Sequence, residues 1–222
     1  AKKISLNSAY GAIGNQYFRY FDVKQAEAIT LGGQLSIRWV ERDVNRFMNK
    51  LLGTDNKNYV VASDTDSIYL KLDTLVEKVC KGKSTKQIVE FLNKAAEDKI
   101  QKVIDDSYQN LAHYVNAYQQ KMIMKREAIA NKGIWVAKKR YMLNVFDEEG
   151  IRFDIPKLKI MGVEAVKSST PEVCRGKIKD AIRVIMNDSE DALIKFVNDF
   201  KEVFKTLSPE AVSYTHLRAH ET

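Results

Sequence analysis

The spacing of apolar residues along the first part of the chain predicts helices. Residues 2–13 and 23–52 repeat apolar side chains at helical intervals, and Gly53 is a typical stop for the second helix. Asp22, with Gln25 three residues later, is a typical N-cap. We expect the core-facing stripe of the second helix to contain Val40, Val44, Phe47 and Leu51.

A second long helix is predicted from Ser84 to about Gln120, after a short one near Leu75–Val79. Ser84 and Gln87 have the spacing of a capping box. Apolar residues recur along one side of this segment, at Ile88, Leu92, Ala95, Val103, Leu111 and Val115.

The period then changes to two, which predicts strands. We expect them at Met122–Ile129, Ile134–Val145 and Ile151–Phe153, with a turn at Asp147–Gly150. Two amphipathic helices follow, one opening at Thr170–Pro171 and one near Ser189–Leu207. This order predicts an α+β fold with an antiparallel sheet packed with long helices, and a domain boundary near Asp154–Lys159.

Residues 59–72 interrupt the helical pattern with a hairpin whose centre is acidic. In an extended segment Asp64 and Asp66 share a face, where two like charges destabilise the sheet unless a cation or hydrogen-bond donors offset them. Mg²⁺ is a hard cation that takes one or two carboxylates together with substrate phosphates. The alternative is an ordinary polar turn that binds nothing.

The composition and net charge of the chain limit the classes of molecule that it is expected to bind. The formal net charge is +7 with a pI of about 9.2, which favours a polyanion such as nucleic acid over an anionic membrane face. No apolar run approaches the ~20 residues that span a bilayer, so we expect no membrane partner. Cys80 and Cys174 form no zinc motif with each other or with His113.

The acidic hairpin also carries a family resemblance. Ser63-Asp64-Thr65-Asp66-Ser67 resembles motif C of the family B DNA polymerases, with Ala62-Ser63 in place of the usual Tyr-Gly. The resemblance implies that Asp66 binds the catalytic metals directly and that Asp64 supports it.

One face of the first helix carries Lys3, Asn7, Tyr10 and Gly14, which is not an apolar stripe. By itself this is typical of a solvated helix face. The segment Lys3 to Gly11 is, however, similar to motif B of the same family, K-x-x-x-N-S-x-Y-G. This implies that Lys3 and Asn7 bind the incoming triphosphate, and that Tyr10 and Gly11 lie against the nascent base pair.

Basic residues cluster where the pattern predicts a strand. Lys138, Lys139, Arg140 and Tyr141 resemble the family's Lys-Lys-x-Tyr element, which implies contact with primer–template DNA; the alternative is a charged edge strand. Upstream, residues 125–130 resemble a palm strand. Lys125 replaces the usual acid there, which leaves Glu127 as a weak site candidate.

The resemblance, including the T-even phage type of thumb entry at residues 157–171, covers nearly the whole chain. It implies the end of the fingers at residues 1–14, the palm at 15–156 and the start of the thumb at 157–212. Residues 213–222, with His216 and His220, are interpreted as a non-native tail.

The implied activity is DNA-directed DNA synthesis from dNTPs by a two-metal mechanism with Mg²⁺, in phage replication inside a bacterial cytoplasm. Primer–template DNA and dNTP are the implied partners, with a sliding clamp bound by a C-terminal part outside this chain. The sequence has no counterpart of motif A, which carries the other essential carboxylate. We therefore expect that this chain alone does not polymerise.

Other classes remain open. A reverse transcriptase or RNA polymerase could place paired acids on a comparable hairpin, but is not expected to carry this motif B. A non-catalytic nucleic-acid-binding module explains the charge but not the two acids. A purely structural protein explains neither feature.

Overall fold

The computed structural model describes residues 2–212, apart from the side chains of Lys2, Lys3, Leu6 and Asn7. The segment 213–222, with His216 and His220, lies outside the described residues. The chain divides into two compact units, with the division between Arg126 and Glu127. Helices and antiparallel strands are partly segregated along the chain, which confirms the α+β class.

The first unit consists of helices around a two-stranded sheet. In chain order its elements are α1 (Lys2–Ile13), α2 (Val23–Leu52), β1 (Val60–Asp64), β2 (Ser67–Leu70), α3 (Asp73–Val79), α4 (Thr85–Ala95) and α5 (Gln101–Tyr114). Strands β1 and β2 are antiparallel.

Local signals fix the ends of α2. The Asp22 carboxylate accepts from the backbone N–H of Lys24 at 2.9 Å and of Gln25 at 3.2 Å, and Gly53 closes the helix in the left-handed conformation. The capping box of Ser84 and Gln87 at the start of α4 is also confirmed.

The core stripe of α2 differs from the prediction by one position. Its buried residues recur every four positions, at Ser36, Val40, Val44, Met48 and Leu52. The predicted Phe47 is partly buried and packs against this core. Leu51, which we expected in the core, is 46% exposed, because at this end of the helix the four-residue row places Leu52 in the core instead.

The second long helix is shorter than predicted and is not a uniform α-helix. A single π-helical turn, Ala96–Ile100, separates α4 from α5, and α5 ends at Tyr114. Val115 and the residues up to Gln120 lie beyond the helix, where Asn116 has a positive φ of 52°.

One hydrophobic core holds this unit together. Apolar side chains of α2, the hairpin, α3 and α5 share it, and its buried members are Val40, Val44, Met48, Leu52, Tyr59, Val60, Leu75, Ile100, Ile104 and Tyr108. The hairpin therefore rests on the same core that joins α2 to α5.

The second unit is a three-stranded antiparallel sheet followed by helices. Its elements are β3 (Ala128–Ala137), β4 (Arg140–Glu148), β5 (Ile151–Met161), α6 (Glu172–Asn187), α7 (Glu190–Lys205) and α8 (Pro209–Val212), with a short 3₁₀ turn at Glu164–Val166. Its buried core residues are Met142, Val163, Ala165, Ile182 and Met186.

Several strand bounds differ from the sequence prediction. Residues 122–127 form no strand, β5 extends to Met161, and the span Ile134–Val145 is two strands joined by a turn. The segment Asp154–Lys159, where we expected a domain boundary, lies inside β5. The assignment of residues to fingers, palm and thumb stays a prediction.

The β4–β5 turn contains only Glu149 and Gly150, since Asp147 and Glu148 belong to β4. Both turn residues have positive φ, 52° and 90°, as a type I′ hairpin requires.

Within the part of the chain that the structure describes, no helix is long and apolar enough to cross a membrane.

Candidate functional site

The two acids of the hairpin occupy its tip. Asp64 is the last residue of β1 and pairs with Ser67 of β2, so Thr65 and Asp66 form a two-residue loop. The Asp66 N–H donates to the Asp64 carbonyl at 2.6 Å, and Thr65 has a φ of 55°, which is rare for a β-branched residue. Because the chain reverses here, the rule that alternate strand residues share a face does not apply to this pair. Asp66 is exposed and Asp64 is partly buried.

Two asparagines of α2 hold the strand that leads to this tip. The Asn45 Oδ1 accepts from the backbone N–H of Tyr59 at 2.7 Å and of Val60 at 3.2 Å. One turn later, the Asn49 side chain donates to the Lys57 carbonyl at 2.7 Å and accepts from the Lys57 N–H at 3.0 Å. The backbone that leads into β1 is therefore hydrogen-bonded to side chains of α2 through both its N–H and its C=O groups.

Burial of the strand start reinforces this attachment. Tyr59 is 1% exposed, and its hydroxyl lies 2.8 Å from the Thr54 Oγ1. Val60 is also buried in the core shared by α2 and α5. The hairpin thus has one fixed end in the core and one exposed, acidic end.

Tyr108 of α5 is a residue that the sequence interpretation missed. Burial raises the pKa of the Tyr108 phenol, and the negative charge of Asp66 raises it further. The phenol therefore keeps its proton near the Asp66 carboxylate. Its signal in the sequence is its place in the buried row Ile100, Ile104 and Tyr108, at four-residue intervals.

The hairpin fits part of a divalent-metal site. Among the residues that the structure describes, neither Asp64 nor Asp66 forms an ion pair, so their oxygens are not already neutralised by a lysine or arginine. Carboxylate oxygens are the ligands that Mg²⁺ prefers. The described residues contain no group of three or more His, Cys, Asp or Glu side chains that could hold a metal ion. The two carboxylates alone are fewer than such a cluster requires.

The polar face of α1 is described only in part. The Tyr10 hydroxyl lies 3.1 Å from the Thr30 Oγ1 of α2, while the whole residue is 47% exposed. Gly11 has no heavy atom within 4 Å of an added Cβ, so the helix is open at this point. The side chains of Lys3 and Asn7 lie outside the description.

The basic element proves to be a hairpin tip and not the interior of a strand. Lys138 and Lys139 are the two-residue loop between β3 and β4, and Ala137 pairs with Arg140. The loop contains neither Gly nor Asn, although Lys139 has a φ of 61°, so the sequence lacks the usual turn signal. Both lysines are exposed. Tyr141 packs against Trp135 with 6.4 Å between ring centroids.

Arg140 differs from the two lysines because its charge is already paired. Its Nη2 donates to both carboxylate oxygens of Glu164 at 2.6 Å. Among the described residues Lys138 and Lys139 form no ion pair, whereas Arg140 does, so the two lysines are the free cations of this element.

Glu127, the weak candidate, is also ion-paired. The Lys159 ammonium lies 2.5 Å from the Glu127 carboxylate and 3.1 Å from that of Glu148. Burial lowers the pKa of Lys159, but the hydrogen bonds and charges of these two carboxylates outweigh it and raise the pKa. The contacts give Glu127 a part in joining the start of β3 to β5.

The chain is similar to known DNA polymerases over most of its length. It is 39% identical to the DNA-directed DNA polymerase of Enterobacteria phage T4, with 96% of this chain and 25% of that protein aligned. It is 44% identical to the DNA-directed DNA polymerase of Escherichia phage RB69, over 85% of this chain and 22% of that protein. DNA polymerase 1 of Pyrococcus abyssi is 28% identical over 94% of the chain. No family model matches the chain.

Proposed function

We propose that the chain is part of a family B DNA polymerase of the T-even phage type and carries one half of the catalytic centre for template-directed DNA synthesis. The 39% and 44% identity to the phage T4 and RB69 DNA polymerases supports this, and the chain spans about a quarter of their length. The observation that carries this proposal is the exposed, acidic tip of a hairpin whose other end is fixed to α2.

Within this proposal Asp66 is the direct metal ligand and Asp64 supports it. Two Mg²⁺ ions, when bound, supply activation of the primer 3′-hydroxyl and neutralisation of the charge on the leaving pyrophosphate. The chain's own contribution is to hold the carboxylates in place through the Asn45 and Asn49 contacts, so that little reorganisation is needed when substrate arrives. Tyr108 keeps a neutral, protonated group beside Asp66.

The substrates follow from the remaining site residues. Lys3 and Asn7 serve the triphosphate of the dNTP, Tyr10 and Gly11 the nascent base pair, and residues 138–141 the primer–template duplex. Residues 1–14, 15–156 and 157–212 are assigned to fingers, palm and thumb. A sliding clamp is a further proposed partner. The proposed location is the bacterial cytoplasm, where the phage DNA is replicated.

The decisive test replaces Asp66 in a full-length polymerase that contains this segment. Asp66→Ala should abolish Mg²⁺-dependent primer extension while leaving the Kd for primer–template DNA within about twofold, since the residue binds metal and not DNA. Asp55→Ala is the matched control, because Asp55 is an exposed acid in the loop before the same hairpin. Extension that survives Asp66→Ala would contradict the metal assignment.

The chain by itself should not extend primers, because it lacks the motif A carboxylate. Incubation of the purified chain with primer–template, dNTPs and Mg²⁺ tests this directly. Template-dependent extension would show that the acids present here suffice.

A non-catalytic nucleic-acid-binding module is the second candidate, and the two exposed lysines of the β3–β4 turn favour it. Titration with Mn²⁺, followed by electron paramagnetic resonance, separates the two. Binding that disappears in Asp64→Asn/Asp66→Asn supports the catalytic proposal. The same weak binding with and without the acids supports the module.

A further inference from the structure

Gly162 lies where the chain leaves β5, beside the turn between β3 and β4. Its φ is 65°, and a Cβ added to it would come within 2.2 Å of the Lys139 carbonyl oxygen and 3.1 Å of the Arg140 Cγ. The nearer atom belongs to the backbone, so no side-chain rotation relieves the overlap. Only glycine allows the two segments to approach this closely.

The approach fixes the turn at a defined point of the sheet. Tyr141 of β4 pairs with Met161 of β5, and Gly162 follows directly. The Lys139 backbone, itself at a φ of 61°, therefore rests against the first residue beyond β5.

A second contact comes from the same stretch of chain. Glu164, two residues after Gly162, accepts from Arg140 at 2.6 Å and from Lys167 at 3.0 Å. The hydrogen bond from Lys167 holds the pKa of Glu164 below its ordinary value, and the Arg140 charge lowers it further. The Glu164 carboxylate is therefore ionised at neutral pH and remains ion-paired with Arg140.

We propose that Gly162 and the Arg140–Glu164 pair form a brace that positions Lys138 and Lys139 against the phosphates of duplex DNA. Arg140 is then a positioning residue and not a DNA contact. The inference rests on the proposed function, because it takes primer–template DNA as the partner of the turn. A turn that is ordered before binding loses less conformational entropy on binding, so its lysines contribute more affinity.

The test measures binding of the 222-residue chain to a fluorescein-labelled primer–template duplex by anisotropy, across a series of salt concentrations. Each phosphate contact adds about 0.9 to the slope of log K against log salt. Gly162→Ala displaces both lysines, so we expect the slope to fall by about 1.8 and the affinity to drop about tenfold. A variant that is only less stable would leave the slope unchanged.

Gly150→Ala is the matched control. Gly150 also has a positive φ, 90°, in a turn of the same sheet, but nothing lies within 4 Å of its added Cβ. Backbone strain is thus comparable in the two variants, and only Gly162→Ala adds the overlap. Equal DNA binding by both variants would overturn the brace.

Glu164→Gln tests the second contact, and it also serves if Gly162→Ala does not fold. The substitution removes one negative charge, so electrostatics alone would tighten DNA binding. The brace instead predicts weaker binding, with faster hydrogen exchange of the Lys139 and Arg140 amides. Tighter binding would show that Arg140 contacts DNA once it is released.

Lys138→Ala/Lys139→Ala separates failure of the brace from failure of the proposed function. If this variant binds DNA as the unmodified chain does, or if neither binds, the turn is not a DNA contact, so both the brace and the proposed assignment of residues 138–141 to the duplex are wrong. If it binds more weakly while Gly162→Ala matches Gly150→Ala, only the brace is wrong.

Discussion

Replacing Asn45 should loosen the acidic hairpin, because one side chain holds the backbone that enters β1. Asn45→Ala removes the acceptor of the Tyr59 N–H at 2.7 Å, the second acceptor of the Val60 N–H at 3.2 Å and a donor to Asn58 at 2.9 Å. The Val60 N–H keeps the Asn58 Oδ1 at 3.1 Å. The Tyr59 N–H loses the acceptor that the structure gives it, in a residue that is 1% exposed.

These contacts set the magnitude. An unpaired buried donor costs about 1–3 kcal/mol, so the Tyr59 contact accounts for about 2 kcal/mol. The shared Val60 contact and the exposed Asn58 contact lie at the low end of the ordinary range, at about 0.5 kcal/mol each. Alanine is the better helix former inside α2, which returns about 0.5 kcal/mol. The net destabilisation of the hairpin is therefore about 2.5 kcal/mol, from the roughly 3 kcal/mol of lost bonding less this gain.

Hydrogen exchange of the amides of residues 59–64 measures this change without requiring the whole chain to unfold in one step. A loss of about 2.5 kcal/mol corresponds to exchange about 70-fold faster. Asn45→Asp is the control, because its carboxylate still accepts from both N–H groups, and its exchange should stay within about fivefold. Exchange in Asn45→Ala that is less than about threefold faster would refute the reasoning.

Three further predictions concern ionisable groups. The raised pKa of Tyr108 means that the folded state holds a proton which the unfolded state loses above about pH 10, so stability should fall there, and urea titrations should show less loss in Tyr108→Phe. Arg152→Ala should destabilise the three-stranded sheet by about 3 kcal/mol, measured by urea unfolding, since it removes the ion pair that joins Arg152 to the fully buried Asp147 carboxylate at 2.9 Å; Arg152→Lys should recover part of this. The hydrogen bond from Lys157 lowers the pKa of Glu148, so the Glu148 carboxylate stabilises the fold fully above its ordinary pKa and loses this effect as the pH falls through its lower pKa in the folded state. Glu148→Gln should therefore reduce the loss of unfolding free energy at acidic pH, and an unchanged loss would contradict this reasoning.

Features that depend on a few neighbouring residues could be predicted from the sequence. The Asp22 cap, the Ser84 capping box and the Gly53 stop were all confirmed, since each is a contact within one helical turn. The hairpin with its acidic tip was also predicted correctly, because two apolar runs flank a short polar centre.

Turns and helix ends without a Gly or Pro signal could not be predicted in this way. The Lys138–Lys139 turn looked like continuous strand, because its residues are not typical of a two-residue loop. The helix end at Tyr114 was missed for the same reason, as apolar residues continue at helical spacing up to Val115.

Contacts between distant residues were beyond sequence reasoning altogether. Asn45 meets Tyr59 across a loop, and Gly162 meets Lys139 across a strand. Neither polar side chains nor glycines follow a sequence periodicity from which such contacts could be predicted. The position of the acidic hairpin tip was therefore predictable, whereas the residues that hold it in place were not.

The π-helical turn at Ala96–Ile100 has a consequence for how this segment accommodates changes in chain length. A single π turn is equivalent to one extra residue inserted into an α-helix. A related chain that is one residue shorter at this point can close the turn into regular α-helix and still present Tyr108 on the buried side. A deletion one turn later instead rotates everything after it by about 100°. Gaps among relatives should therefore gather at the π turn, and α5 itself should keep a constant length.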